Sequence, residues 1–236
     1  MAVNINELTD SRDTVNKMLE RFGVRFGVYK KGIFNEQLFP FDSVPRIITK
    51  SDWSYLERGL KQRVQALNMF LWDIYHDKKI VKDGVVPEEF VYSSKGYMPV
   101  CEGISPEGKV YSHISGIDLV EGKDGQWYVL EDNLRIPSGA SYPMIARKIT
   151  RKVSPNTFAT NAVADNRDYA DLLRDMMDDM NDHRGIAVIL TPGRYNSAFF
   201  EHSYFAEKTG ATLAYPGDLF VEDDKVYYGG MYKEKI

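Results

Sequence analysis

Apolar residues recur at steps of three or four from Trp53 through Leu56, Leu60, Val64, Leu67 and Leu71 to Ile74. That spacing holds them on one stripe of a helix of roughly six turns, with Glu57, Arg58, Lys61 and Asp73 off the stripe. Ser51 or Asp52 can cap its start. Gly59 costs such a helix about 1 kcal/mol relative to alanine, and its presence points to a close approach by another element. Upstream, Val15, Met18 and Leu19 follow Glu7, Thr9 and Asp10 in a modest helical pattern over the first ~20 residues. Val24 to Tyr29 reads as a strand. Residues 39 to 48 hold Pro40 and Pro45 and are expected to be extended.

Between 85 and 130, short apolar runs alternate with turn signals such as Lys95-Gly96 and Asp124-Gly125, which predicts sheet. A second segment starts near 165. Tyr169 to Met180 is an acidic helix, and Ile186 to Leu190 is a short apolar run expected to form a buried, parallel-type strand. The loop from Thr191 to Asn196 leads into a helix over about 197–208. Gly210 ends that helix and Ala211 to Ala214 starts the next strand, a Rossmann-like unit without the GxGxxG of a dinucleotide site.

The 236 residues are 43% hydrophobic, enough for a sizeable core, and the charge is 30 − 34 = −4. That balance lacks the basic footprint of a nucleic-acid binder. No run approaches the ~18 apolar residues of a membrane span, and no signal-peptide layout opens the chain. With Cys101 as the one cysteine, no intrachain disulfide can form. These features predict a soluble, cytoplasmic α/β protein.

The chemistry concentrates between Tyr111 and Ser141. If Asp124-Gly125 forms a two-residue hairpin turn, paired residue numbers sum to 249. Asp118 then faces Glu131 and Gly116 faces Asn133, with Asp118, Glu131 and Asn133 on one face. A three-residue loop would put Asp132 there instead. Two carboxylates directly opposite each other repel. A divalent cation such as Mg²⁺ would relieve this, since the oxygens of Asp, Glu and Asn suit hard metals. Solvent exposure or an arginine partner would relieve it too. Arg135, Ser138, Gly139 and Ser141 follow directly, offering a cation, hydroxyls and a glycine-containing backbone that could cradle an anion.

Six ordered blocks carry a resemblance: residues 39–48, 59–68, 80–84, 113–118, 130–139 and 190–202. Together the chain resembles the circularly permuted ATP-grasp family, relatives of glutathionylspermidine synthase, from about Phe22 to Tyr228. The resemblance implies an α/β ATP-grasp fold: a mixed sheet with flanking helices plus a Rossmann-like pre-ATP-grasp segment. It implies ATP-dependent joining of a carboxylate to an amine through an acyl phosphate, with ATP and two Mg²⁺ ions. The metal positions match Asp118, Glu131 and Asn133. Ser138 matches a serine near the acyl phosphate, and Ser138 with Gly139 would contact the nucleotide. Where that pattern has an arginine two residues before the metal aspartate, this chain has Gly116, so Arg46 and Arg135 are the candidate replacements. Residues 1–164 would form part of the catalytic core, and 165–236 a truncated Rossmann-like segment. Members of the family are roughly twice as long and carry their lid lysines in the later half. The chain therefore resembles an N-terminal half, expected to associate with itself or with a separately encoded second half. An unpaired edge is expected at the strand Lys225 to Tyr228. The alternative is a non-catalytic binding subunit that keeps the fold.

Other candidates read as structural. His113 and His202 suit hydrogen bonding within the fold, Cys101 lacks an activating cation, and the acidic run 174–182 fails calcium-loop spacing. The loop Thr191–Asn196 fits either a substrate-binding loop or a plain turn.

Overall fold

The computed structural model describes residues 11–180, 184–229 and 233–235. The start of the expected N-terminal helix and the end of the acidic run lie outside these residues. The chain forms two compact units, one of residues 48–137 and one combining residues up to 47 with those from 138 onward.

The first unit is built on helix α2 (Lys50–Tyr75). Its cap is Thr49, not Ser51 or Asp52: the Thr49 side chain accepts from the Asp52 N–H and donates to the Asp52 carboxylate at 2.7 Å. Of the apolar stripe, Leu56 and Ile74 are buried and the rest is half-buried or, like Trp53, exposed. Among the described residues the close approach expected at Gly59 is not made, for none of their atoms lies within 4 Å of where its Cβ would stand. Gly59→Ala should therefore stabilise the protein by about 0.5–1 kcal/mol, read as a rise in the urea midpoint.

From 85 to 115 the expected sheet is replaced by a short helix (Glu88–Tyr92) and 3₁₀ turns at Pro99–Cys101 and Glu107–Lys109. These turns wrap the C-terminal end of α2. Ile74, Tyr75 and Val91 are buried there with Cys101 against them, and Tyr75 stacks between Tyr97 and Tyr111 at 5.2 and 5.6 Å. In this unit the described strands begin with the antiparallel pair β3 (Gly116–Glu121) and β4 (Trp127–Asn133).

In the second unit, α1 (Arg12–Arg21) and α5 (Ser141–Val153) bury Val15, Leu19, Ile145 and Ile149 together with Val24. Each such side chain contributes about 1.5–3 kcal/mol on burial. The hairpin β1 (Arg25–Lys30) and β2 (Ile33–Leu38) follows α1. The strand–loop–helix–strand reading holds in its connectivity. β5 (Val188–Leu190) pairs parallel with β6 (Thr212–Ala214) across α8 (Phe199–Thr209), which Gly210 closes in the left-handed region at φ 78°. β5 is only half-buried, with Leu190 52% exposed, so the fully buried strand expected there is not formed. β8 (Lys225–Gly229) is flanked by β7 (Leu219–Glu222) and β9 (Lys233–Lys235). The expected unpaired edge at β8 is therefore filled on both sides.

The result is a mixed α/β fold of small sheets with flanking helices. The 164/165 division expected from the sequence concerned role, whereas packing cuts the chain elsewhere: α5 packs on α1 and α8. Among the described residues no helix is long and apolar enough to cross a membrane.

Candidate metal and phosphate site

The hairpin turn differs from the expected one. Gly122 donates to the Gln126 carbonyl at 2.8 Å, so the loop is Lys123-Asp124-Gly125, three residues closed by Gly125 at φ 74°. Asp124 stiffens it by accepting from the Gln126 N–H and from the Tyr128 hydroxyl at 2.7 Å. Glu121, Val120 and Leu119 then pair with Trp127, Tyr128 and Val129, one step away from the 249 rule. Alone, that shift would have moved Glu131 off the face of Asp118. A β-bulge between Asp118 and Leu119 absorbs Leu130 and restores the register. Asp118 is opposite Glu131, and Gly116 opposite Asn133.

The pleat puts Asp118, Glu131 and Asn133 on one exposed face and Ile117, Leu119 and Asp132 on the other, half-buried one. Asn133 donates from Nδ2 to Glu131 at 3.1 Å, which leaves its oxygen for another partner. Among the described residues no basic side chain pairs with Asp118 or Glu131. Asp132, by contrast, receives a two-pronged hydrogen bond from Arg63 of α2 at 2.7 and 2.6 Å. The guanidinium holds the Asp132 carboxyl below its ordinary range. A depressed folded-state pKa means stability present above about pH 4 and lost as pH falls through the folded value. Asp132→Asn should remove that acid-limb slope in urea titrations run from pH 5 to 2.5.

Two other residues fix the hairpin's base. Asn68 of α2 accepts at Oδ1 from the Tyr111 and Ser112 N–H groups at 2.8 and 2.9 Å. The buried Ser112 hydroxyl donates to the Leu134 carbonyl at 3.1 Å. Gly116 lies under Pro137, where a Cβ would come within 2.8 Å of the proline's own Cβ. An arginine at 116 would force that proline to move. Arg135 is exposed just beyond β4.

Ser138 and Gly139 begin the other compact unit, as part of a loop before α5. The loop does cradle an anion, and that anion is the chain's own Glu201 on α8. Its buried carboxylate accepts from the Gly139 N–H at 2.6 Å, the Ser141 N–H at 2.8 Å and the Ser141 hydroxyl at 2.7 Å. The amide expected to serve a nucleotide from Gly139 is thus engaged internally, and the exposed Ser138 side chain is the part of the loop that faces outward. Arg46 stands exposed in the extended segment of this same unit. His202 is a structural partner. Its Nδ1 is 2.9 Å from the buried Thr191 hydroxyl, and burial pushes its pKa down.

Chemically, the β3–β4 face offers two carboxylates and one amide oxygen. Among the described residues no cluster of three or more acidic, histidine or cysteine ligands exists. An ion held there would draw on one or two carboxylates and complete its shell with water or phosphate oxygen. That is the manner of Mg²⁺ rather than of a protein-caged Ca²⁺ or Zn²⁺, so the donor set fits.

Comparison with known proteins places these residues in a family. A protein of Synechocystis sp. that carries no functional name is 43% identical over 219 residues, covering 92% of this chain and 46% of its own length. A Mycobacterium tuberculosis protein, also without a functional name, is 42% identical over 94% of this chain and 40% of its own length. A Frankia casuarinae protein named "Putative glutamate–cysteine ligase 2-2" is 40% identical over 80% of this chain and 22% of its own length. The chain thus spans less than half the length of these relatives. Residues 45–235 match the model of the circularly permuted ATP-grasp type 2 family, to which the chain belongs.

Proposed function

We propose that the chain carries the metal-binding hairpin of an ATP-dependent carboxylate–amine ligase, similar to glutathionylspermidine synthase, that forms peptide or amide bonds through an acyl phosphate. The observation that carries this reading is the pairing of Asp118 with Glu131 without a basic partner among the described residues. Family membership supports it, as do relatives named as ligases. Asp118, Glu131 and the Asn133 oxygen would hold Mg²⁺. Bound ATP and Mg²⁺ supply an electrophilic phosphoryl group with its charge partly neutralised. Arg135 or Arg46 would offer the positive charge that the missing arginine at 116 does not, and Ser138 would offer a hydroxyl to the acyl phosphate. Residues 1–164 serve as part of the catalytic core and 165–236 as the Rossmann-like segment. The chain acts as the N-terminal half, in the cytoplasm, and its lid lysines come from sequence outside these residues. It meets that part by association with a second half or with itself.

Gly116 under Pro137 favours a second reading, a binding subunit that keeps the fold without turnover. Mg²⁺-dependent ADP release decides between them, measured for the 236 residues alone and joined to the C-terminal remainder of the Synechocystis relative. Turnover in the joined protein supports the ligase. Mg²⁺-dependent ATP binding without turnover in both supports the binding subunit.

A further inference from the structure

We propose that a cleft between the β1–β2 hairpin and the 194–203 segment binds a small amino acid that carries a second carboxylate. The cleft has a volume of about 210 Å³ and includes Arg25, Phe34, Glu36, Arg194, Asn196 and Ser197 in its lining. Its walls are fixed by packing. The Phe34 ring lies across Gly27, where any Cβ would come within 2.5 Å of the ring. The same ring meets Tyr195 edge-on at 5.7 Å and 90°, and the Tyr29 hydroxyl donates to the Tyr195 carbonyl at 3.2 Å. Hairpin and loop are thereby joined, and a side chain at Gly27 would displace the Phe34 ring.

The charges in the cleft are two cations and one anion. Arg194 rests 5.3 Å from the Tyr195 ring centroid, and no described carboxylate lies within ion-pair distance of it. Its planar fork is therefore open to a two-pronged bond with a ligand carboxylate. Arg25 and Glu36 are 3.8 Å apart and about half exposed, a long surface pair that a ligand can open readily. The Asn196 oxygen accepts from the Ala198 N–H at 2.9 Å, so its Nδ2 and the Ser197 hydroxyl remain as donors.

Complementarity then specifies the ligand. Arg194 and Arg25 each take a carboxylate, and Glu36 takes an ammonium. The space is smaller than the ~300 Å³ at which drug-sized pockets begin, a size that suits one amino acid. The loop Thr191–Asn196, open in the sequence to two readings, becomes a binding loop on this assignment.

The test is calorimetric titration of L-glutamate and of glutarate, which lacks the ammonium, without ATP or Mg²⁺. It therefore stands or falls apart from the ligase reading. The protein should bind L-glutamate saturably and more tightly than glutarate. Arg194→Gln should weaken L-glutamate about tenfold or more, with Arg194→Lys intermediate. Glu36→Gln should weaken L-glutamate while sparing glutarate. Absence of saturable L-glutamate binding overturns the proposal, as does a wild-type preference for glutarate. Equal binding by wild type and an Arg194→Gln variant with a native circular-dichroism spectrum also overturns it.

Discussion

Glu201→Ala is expected to lower the thermal midpoint by roughly 6–12 °C. The carboxylate is buried and accepts three hydrogen bonds at 2.6–2.8 Å. Alanine leaves the Gly139 and Ser141 donors facing a void in the protein interior. Bonds to a carboxylate are individually worth about 1.5–3 kcal/mol, and orphaned buried donors add their own desolvation cost. Since the three act as one cluster their effects do not sum, and about 3 kcal/mol is a conservative total. For a chain of this size each kcal/mol shifts the midpoint by about 2–4 °C. Glu201→Gln should fall between, because its amide nitrogen turns a donor toward donors. Differential scanning calorimetry reads both, and a shift below about 2 °C for the alanine variant would show that the loop does not depend on Glu201.

How legible this arrangement was in the sequence differs from element to element. The parallel β5–α8–β6 unit was readable because an apolar run, a loop, a helix and a closing glycine come in the order that a strand–helix–strand crossover needs. The hairpin was readable only in outcome. Asp124-Gly125 signals a turn, but the residue that joins them, Lys123, lengthens the loop to three, and a bulge at Leu130 compensates. Leu130 is 68% exposed and marked by nothing in its side-chain type, so no local pattern announces the bulge. The stretch 85–115 misled because apolar runs between turn residues look the same whether they pair as strands or coil as single helical turns. Packing against Tyr75 decided it. Glu201 was illegible for a different reason. It stands in a helix beside His202 like any surface acid, and its partners lie 60 and 62 residues earlier. Only the tertiary fold buries it. The same holds for Thr49, whose hydroxyl outcompeted two plausible caps within three residues.

Asp118→Asn is expected to act in opposite directions with and without Mg²⁺. Without the ion, Asp118 and Glu131 face each other across the pair as like charges. Neutralising one should stabilise the hairpin by about 0.2–1 kcal/mol. With the ion on the proposed site, wild type should gain stability by mass action, about 2.7 kcal/mol at a hundredfold excess over Kd, and the variant should lose most of that gain. The order of the two proteins on a thermal scan should therefore reverse on adding Mg²⁺ with ADP. If the proposed ligase reading holds, the same substitution in the protein joined to the C-terminal remainder of the Synechocystis relative should slow ADP release by about 100-fold or more, since a lost Lewis-acid contact forfeits several kcal/mol of transition-state stabilisation and each 1.36 kcal/mol is tenfold. Glu131→Gln should behave alike. Asp132→Asn supplies the control one residue away: its carboxylate belongs to Arg63 on the other face, so its Mg²⁺ response should equal that of wild type. If Mg²⁺ with ADP stabilises wild type and Asp118→Asn equally, the ion does not sit on this hairpin. If Asp132→Asn alone loses the response, the two faces of β4 have been assigned the wrong way round.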